Sequence, residues 1–278
     1  MFLFNNIRKE SLGIDISTEE IRFLKAYRKN HEIFITAAKV TKLPSGVISE
    51  GKIICSESLI KILKDLVEST NSFGLPACIS IPEAAIFSKK IYLEDEKLLR
   101  NSKNICNYFK EMNSSIAYDY VPEKASGEWM LIATRRDELK NYINVLDSVS
   151  VNVCIVDVDV YALLKAFFFC CIAESKKNIT ILKKVKSILE IINVHGADII
   201  SRDKVSLNHL DYQKQINQLT CVGEKYAMQD EIFQYCDAIK VVDPFEKVFF
   251  DLSIDNSLGD FAATFIVSLG LVLRGLNL

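Results

Sequence analysis

Three histidines in 278 residues, and eight cysteines with no C-x-x-C pair among them, leave nothing from which a zinc site could be assembled. The sequence also has no Gly-x-Ser-x-Gly, His-Glu-x-x-His or Walker loop, so hydrolase and P-loop chemistry lack their motifs. A strong charge of either sign is missing too. The formal net charge is −2, and no basic cluster carries interleaved aromatics. Nucleic acid and anionic lipid therefore have no electrostatic handle on the surface as a whole. Long apolar runs are scarce. "VYALLKAFFFCCIA" (160–173) is interrupted by Lys165, and "FAATFIVSLGLVLRGLNL" (261–278) by Arg274. Neither reaches the roughly 20 apolar residues of a membrane-spanning helix, so both read as buried helices. In "MFLFNNIRKE" the charges follow the apolar run, the reverse of a secretory signal.

What is present suits a packed core: 49% of residues are hydrophobic and 25% charged. Most cysteines sit in apolar contexts such as "PACISIP" and "VNVCIVDV", where a reduced thiol acts as a small hydrophobe. That usage implies a reducing compartment, hence the cytoplasm. The adjacent Cys170 and Cys171 read as helix core.

Strands are expected at 11–16, 21–28 and 32–40, where Val, Ile, Phe and Thr alternate with polar residues. A Pro/Gly/Ser connector follows at 43–53. Ser56 is the expected N-cap of a helix at 57–69. Its Leu59, Ile62, Leu63, Leu66 and Val67 share one face. "ACISIP" and "IFSKKIYL" read as strands, and 95–112 as one amphipathic helix. Strands at 116–121 and 129–135, a helix at 136–149, a strand at 153–158 and a helix at 159–173 complete the regular part. Asp159 is the expected cap of that last helix, rather than half of an acid pair with Asp157. Beyond 178 the pattern blurs. A hairpin is expected in 186–207, a short helix at 229–236, a strand at 238–242, a turn in "DPFEKVFFD" and a terminal helix over about the last seventeen residues.

"LGIDIS", "LPSGVISEGKI", "IPEAAIFSKKIYL", "IAYDYV", the run from "WMLIATR" through "DVDVYALLKAF", "KVVDPF" and "SLGLVLRGLNL" stand in the order found in the PilM family of type IV pilus assembly proteins. The chain resembles that family well over about 11–175 and more loosely over 221–278. The resemblance implies an α/β, actin-like (ribonuclease H-like) fold. Residues 1–44, 151–176 and 256–278 would form subdomain 1A. Residues 45–150 would be an inserted α+β subdomain, 1C, and 177–255 a reduced subdomain 2A lacking most of 2B.

The resemblance also implies a nucleotide cleft gripped by two hairpins, each offering backbone N–H groups to phosphate. The first hairpin of the family resembles "GLDIGSSSIK"; here it reads "GIDISTEEIR". Asp15 and the hydroxyl of Thr18 are kept, Ser17 stands where Gly belongs, and Glu19 and Glu20 replace small residues. If that position needs positive φ, Ser17 costs roughly 1 kcal/mol. A carboxylate about 6 Å from a phosphate costs on the order of 3 kcal/mol at an effective dielectric near 20. The second hairpin is expected in "IINVHGAD", with Asn193 at the Asp position and His195 at the Gly position, a loss of the motif that is preferred over a shifted loop of Gly196 and Asp198; Gly223 is the remnant of the adenosine-side glycines. The helices expected between 207 and 221 are missing as a block.

The expected function is thus an adaptor, cytoplasmic and peripheral to the inner membrane, with no catalytic residue, no metal and no cofactor. ATP and magnesium are the family's alternative, and an active actin-like ATPase the alternative function. The partner implied by the resemblance is the cytoplasmic tail of a PilN-like inner-membrane protein. Its groove is expected along Ile21, Phe23, Val47, Ile48 and Ile53. Self-association and decay into a functionless relic stay open. A type II secretion component of the GspL kind shares the fold, but that family runs on into a transmembrane helix and a periplasmic domain.

Overall fold

A computed structural model describes residues 9–93, 96–100, 102–112, 115–122, 128–171, 178–185, 188–196, 198–206, 224–228, 239–251 and 264–277. Strands β1 (Lys9–Ile16), β2 (Glu20–Lys29) and β3 (Glu32–Lys42) form an antiparallel meander. The tight β2–β3 turn places Asn30 at φ 58°, a left-handed conformation that asparagine tolerates. A two-stranded ribbon, β4 (Ile48–Ser49) and β5 (Lys52–Ile53), leads into helix α1 (Ser56–Ser69). The helix cap is Cys55, whose side chain bonds no cap N–H; Ser56 is already helical, contrary to expectation.

β6 (Pro76–Ser80) and β10 (Asn152–Asp157) run parallel to β1 and extend the sheet to β10-β6-β1-β2-β3-β16. The edge strand β16 (Phe249–Phe250) lies inside the segment expected as a turn and pairs with β3. One face of this sheet buries Leu12, Ile14 and Phe23 against Leu59 and Leu63 of α1 and Tyr142 and Leu146 of α3 (Arg136–Ser148). The opposite face packs on α4 (Asp159–Cys170) and α5 (Ile266–Gly275). The described part of the terminal helix is therefore shorter than expected.

Between β6 and α3 the chain builds a separate sheet in the order β7-β9-β8, from β7 (Phe87–Tyr92), β8 (Ile116–Pro122) and β9 (Glu128–Arg135). Its own apolar cluster gathers Ile91, Leu99, Ile105, Phe109 and Leu131. The single helix expected at 95–112 is instead a 3-10 turn (Glu96–Arg100), the short α2 (Ser102–Cys106) and a second 3-10 segment (Asn107–Met112). Phe109 leaves helical geometry (φ −122°, ψ 45°) and enters that cluster, so burial of its ring overrides the helical period. Within residues 45–150, α1 and α3 pack on the six-stranded sheet and β6 is one of its strands, while β7, β8 and β9 form the separate sheet.

The second half is a five-stranded sheet, β13-β12-β11-β14-β15. Its strands are β11 (Asn178–Val185), β12 (Ile188–His195), β13 (Asp198–Ser206), β14 (Glu224–Met228) and β15 (Ile239–Val242). β12 and β13 are the expected hairpin; β11 was not anticipated. Ile179, Ile181, Ile192 and Val194 of this sheet close on α4 and α5, which thus lie between the two sheets. The helices pack closely because Gly270 faces the backbone of Ala162: a Cβ there would sit 1.8 Å from the Ala162 carbonyl oxygen. Gly13 does the same for β1 and α5, where a Cβ would sit 2.0 Å from the Ser268 carbonyl oxygen. Among the described residues, no helix is long and apolar enough to cross a membrane. The helix expected at 229–236 and the segment 207–221 lie outside the described residues.

Candidate functional site

On β1, side chains alternate: Leu12, Ile14 and Ile16 enter the core under α1, while Ser11, Gly13 and Asp15 share the opposite face. Asp15 lies at the strand end and borders a cleft of about 460 Å³ between the two halves. Register alone surrounds it, with Arg22 opposite on β2 and Ser80 opposite on β6. Its Oδ2 accepts from Arg22 Nη1 at 2.7 Å, and its Oδ1 accepts from the Ser80 hydroxyl at 2.6 Å. Arg22 also pairs with Glu20.

The β1–β2 turn closes on itself. The Ser17 N–H donates to the Glu20 carbonyl at 3.0 Å, and the Ser17 hydroxyl donates to the same carbonyl at 2.8 Å. In return Ser17 Oγ accepts from the N–H groups of Glu19 (3.3 Å) and Glu20 (3.0 Å). This is an ordinary serine turn, and Ser17 is not among the residues with positive φ, so the strain anticipated there is absent. Thr18, Glu19 and Glu20 all line the cleft.

The opposite wall is one face of the second sheet. Toward α4 and α5 that face is apolar, through Ile179 and Ile181. Two residues on it becomes charged, with Lys183, Glu190 and Lys204 in lateral register. Lys183 stands 4.0 Å from Glu190. Arg202 binds Asp159 through two bonds, of 3.1 and 2.6 Å, pairs with Glu190, and lies 3.5 Å from Glu83. Lys204 also pairs with Glu83. Asp159 is therefore the first helical residue of α4, with Val158 at the cap position, and its carboxylate serves Arg202.

Asn193 and Gly196 do not reach this cleft. The β11–β12 sheet turns its Lys183–Ile188 end toward the first hairpin, and Asn193 lies near the other end of β12. There Asn193 is buried, accepting from the Thr180 hydroxyl and donating to Ser201 Oγ at 3.0 Å. Gly196 makes the β12–β13 turn at φ 63°. Gly223 lies outside the described residues. Sequence reasoning missed Lys183, Arg202, Lys204 and Glu83; for Lys183 the signal is charge on an otherwise apolar strand, and Glu83, Arg202 and Lys204 carry none.

The family model for the type IV pilus assembly protein PilM matches residues 13–195. The chain belongs to the PilM family. No match was found among curated proteins. The structure is similar to that of a PilM-PilN type IV pilus biogenesis complex, with TM-score 0.74, 15% identity, and 96% of this chain and 98% of that chain covered. It is also similar to the cytoplasmic domain of EpsL, an inner-membrane component of the Vibrio cholerae type II secretion system (TM-score 0.51, 10% identity, 94% of each chain). The ethanolamine utilization protein EutJ of Carboxydothermus hydrogenoformans matches at TM-score 0.51 and 10% identity, over 95% of this chain and 89% of that one. The fold of this PilM family member is the actin-like fold.

Two of its acids respond oppositely to their surroundings. Burial pushes the Asp159 carboxyl up, but the Arg202 guanidinium outweighs it and holds the group below the usual carboxylate range. Burial pushes Asp157 up despite its partner Arg274 on α5. A depressed folded value contributes stability above the unfolded value of about 3.9, and that stability is lost as pH falls through the folded value. Asp159→Asn is therefore expected to flatten the loss of stability below about pH 4, measured by urea titration at stepped pH. An unchanged acid limb would contradict the pairing with Arg202.

Of the residues expected in a partner groove, Ile21 and Phe23 are 0% exposed, and Val47 and Ile48 are buried with them. They belong to the core beneath α1, because β2 is covered on both faces. Ile53 alone borders a surface depression of about 340 Å³, lined also by Ile54, Ser56, Ile60, Asn141, Asn144 and Val145.

Proposed function

We propose that this PilM family member is a cytoplasmic adaptor of type IV pilus assembly, peripheral to the inner membrane, in which nucleotide binding is lost or greatly weakened. The observation that carries the loss is the β1–β2 turn. The Glu19 and Glu20 N–H groups that would cradle phosphate are bound by Ser17 Oγ, and the carboxylates of those residues border the same space. Both oxygens of Asp15 are engaged as well, by Arg22 and Ser80, which disfavours their turning to magnesium–ATP.

The partner is the N-terminal tail of a PilN-like membrane protein, by likeness to the PilM-PilN complex. The depression beside Ile53 suits a short apolar peptide: Ile54 is 62% exposed at its rim, and Asn141 and Asn144 offer amides to a peptide backbone. Calorimetry tests both halves. Magnesium–ATP is expected to give no binding in the low micromolar range, and phosphate release abolished by Asp15→Ala would overturn the loss. A synthetic tail of the cognate PilN-like protein is expected to bind, with Ile54→Asp weakening it about tenfold or more. Failure of the tail to bind the unaltered protein would overturn the adaptor role.

A further inference from the structure

The cleft of an actin-like protein is a place where a bound nucleotide can touch both halves at once. Here the chain bridges that cleft with its own side chains. Glu83, in the short turn after β6, and Asp159, at the start of α4, project from the half built on the six-stranded sheet. Arg202 and Lys204 project from β13 of the other half. Glu83 meets both cations, and Asp159 holds Arg202 by two parallel bonds. Bidentate arginine–carboxylate pairing fixes direction as well as distance, so these contacts set the angle between the halves. Glu190 backs Arg202 from within the second sheet and orients it.

We propose that this Glu83/Asp159–Arg202/Lys204 cluster is an intramolecular clasp that keeps the cleft closed without a ligand. The clasp makes one fixed interdomain geometry the resting state, where a nucleotide-dependent protein would have two. Its role as a substitute rests on the proposed loss of nucleotide binding; its existence as a closure does not.

Lys183 reports the closure. It lines the cleft with its side chain 10% exposed, whereas the Lys64 side chain on α1 is 62% exposed. Acetylation by an amine-reactive ester, followed peptide by peptide by mass spectrometry, gives the rate at Lys183 relative to Lys64. In the full chain carrying Glu83→Gln with Asp159→Asn, the Lys183 rate is expected to rise about tenfold, with Lys64 unchanged. In the unaltered protein, raising salt from about 50 mM to about 1 M is expected to raise it severalfold, because the Lys204–Glu83 contact is partly exposed to screening. Lys183 rates within twofold of the starting value in both arms would overturn the clasp. If the double variant misfolds, all lysines will label faster, and the salt arm on the unaltered protein decides. Magnesium–ATP calorimetry is a separate measurement, so tight nucleotide binding would refute the loss while leaving the labelling result to judge the clasp.

Discussion

Arg22→Met is expected to cost about 3 to 5 kcal/mol of stability, read as a shift in the urea midpoint at constant slope. Asp15 is 6% exposed and would remain in place with the Ser80 hydroxyl as its remaining donor among the described residues. Removing one member of a buried ion pair leaves the desolvation cost of the other uncompensated, which is why the loss exceeds the worth of the pair itself. Combining Arg22→Met with Asp15→Asn is expected to recover more than half of it, since the stranded charge is then gone. A single variant that loses less than about 1 kcal/mol, or a double variant no better than the single, would show that Asp15 does not depend on Arg22.

The other large effect belongs to a glycine. In Gly270→Ala the new methyl would meet the Ala162 carbonyl oxygen at 1.8 Å and its carbon at 2.4 Å. Backbone cannot swing aside as a side chain can, so α4 and α5 must separate and loosen the layer shared by both sheets. Overpacking ordinarily costs 1–3 kcal/mol, and the gain of alanine over glycine in helix propensity returns up to about 1. A net loss of about 2 kcal/mol is expected, a fall of roughly 4 to 8 °C in melting temperature. Gly46 is the control: nothing lies within 4 Å of its Cβ position, and its φ of 85° alone makes Gly46→Ala cost about 1 kcal/mol. Equal melting temperatures for the two variants would rule out the close crossing.

The meander, α1 and α3 were legible from one repeating period held along each element, and β10 and α4 from apolar runs of strand and helix length. β11 was not, because "NITILKKV" buries Thr180 beside apolar neighbours and carries Lys183, which lines the cleft. That omission misplaced the second hairpin. Without β11, "IINVHGAD" reads as the strand and turn facing the cleft, whereas Asn193 and Gly196 lie toward the far end of the sheet. The first hairpin was located correctly, but not its internal bonding: no pattern of residue types reveals that Ser17 Oγ binds two neighbouring N–H groups. The groove failed for a different reason. Alternation marks Ile21 and Phe23 as facing one way and Arg22 the other, but does not say that helices cover both sides.

Helix α5 covers β1 and β2 although it follows them far along the sequence: the Ser268 hydroxyl donates to the Arg22 carbonyl across 246 positions. On the ribosome, β1, β2, β3 and β6 emerge long before the helix that will shield their second face. Until then Leu24, Ala26 and Ile35 have no α5 against which to pack. The second face of β1, β2 and β3 can close only after α5 has been made, so its docking is a late step of folding and that apolar surface stays open until then.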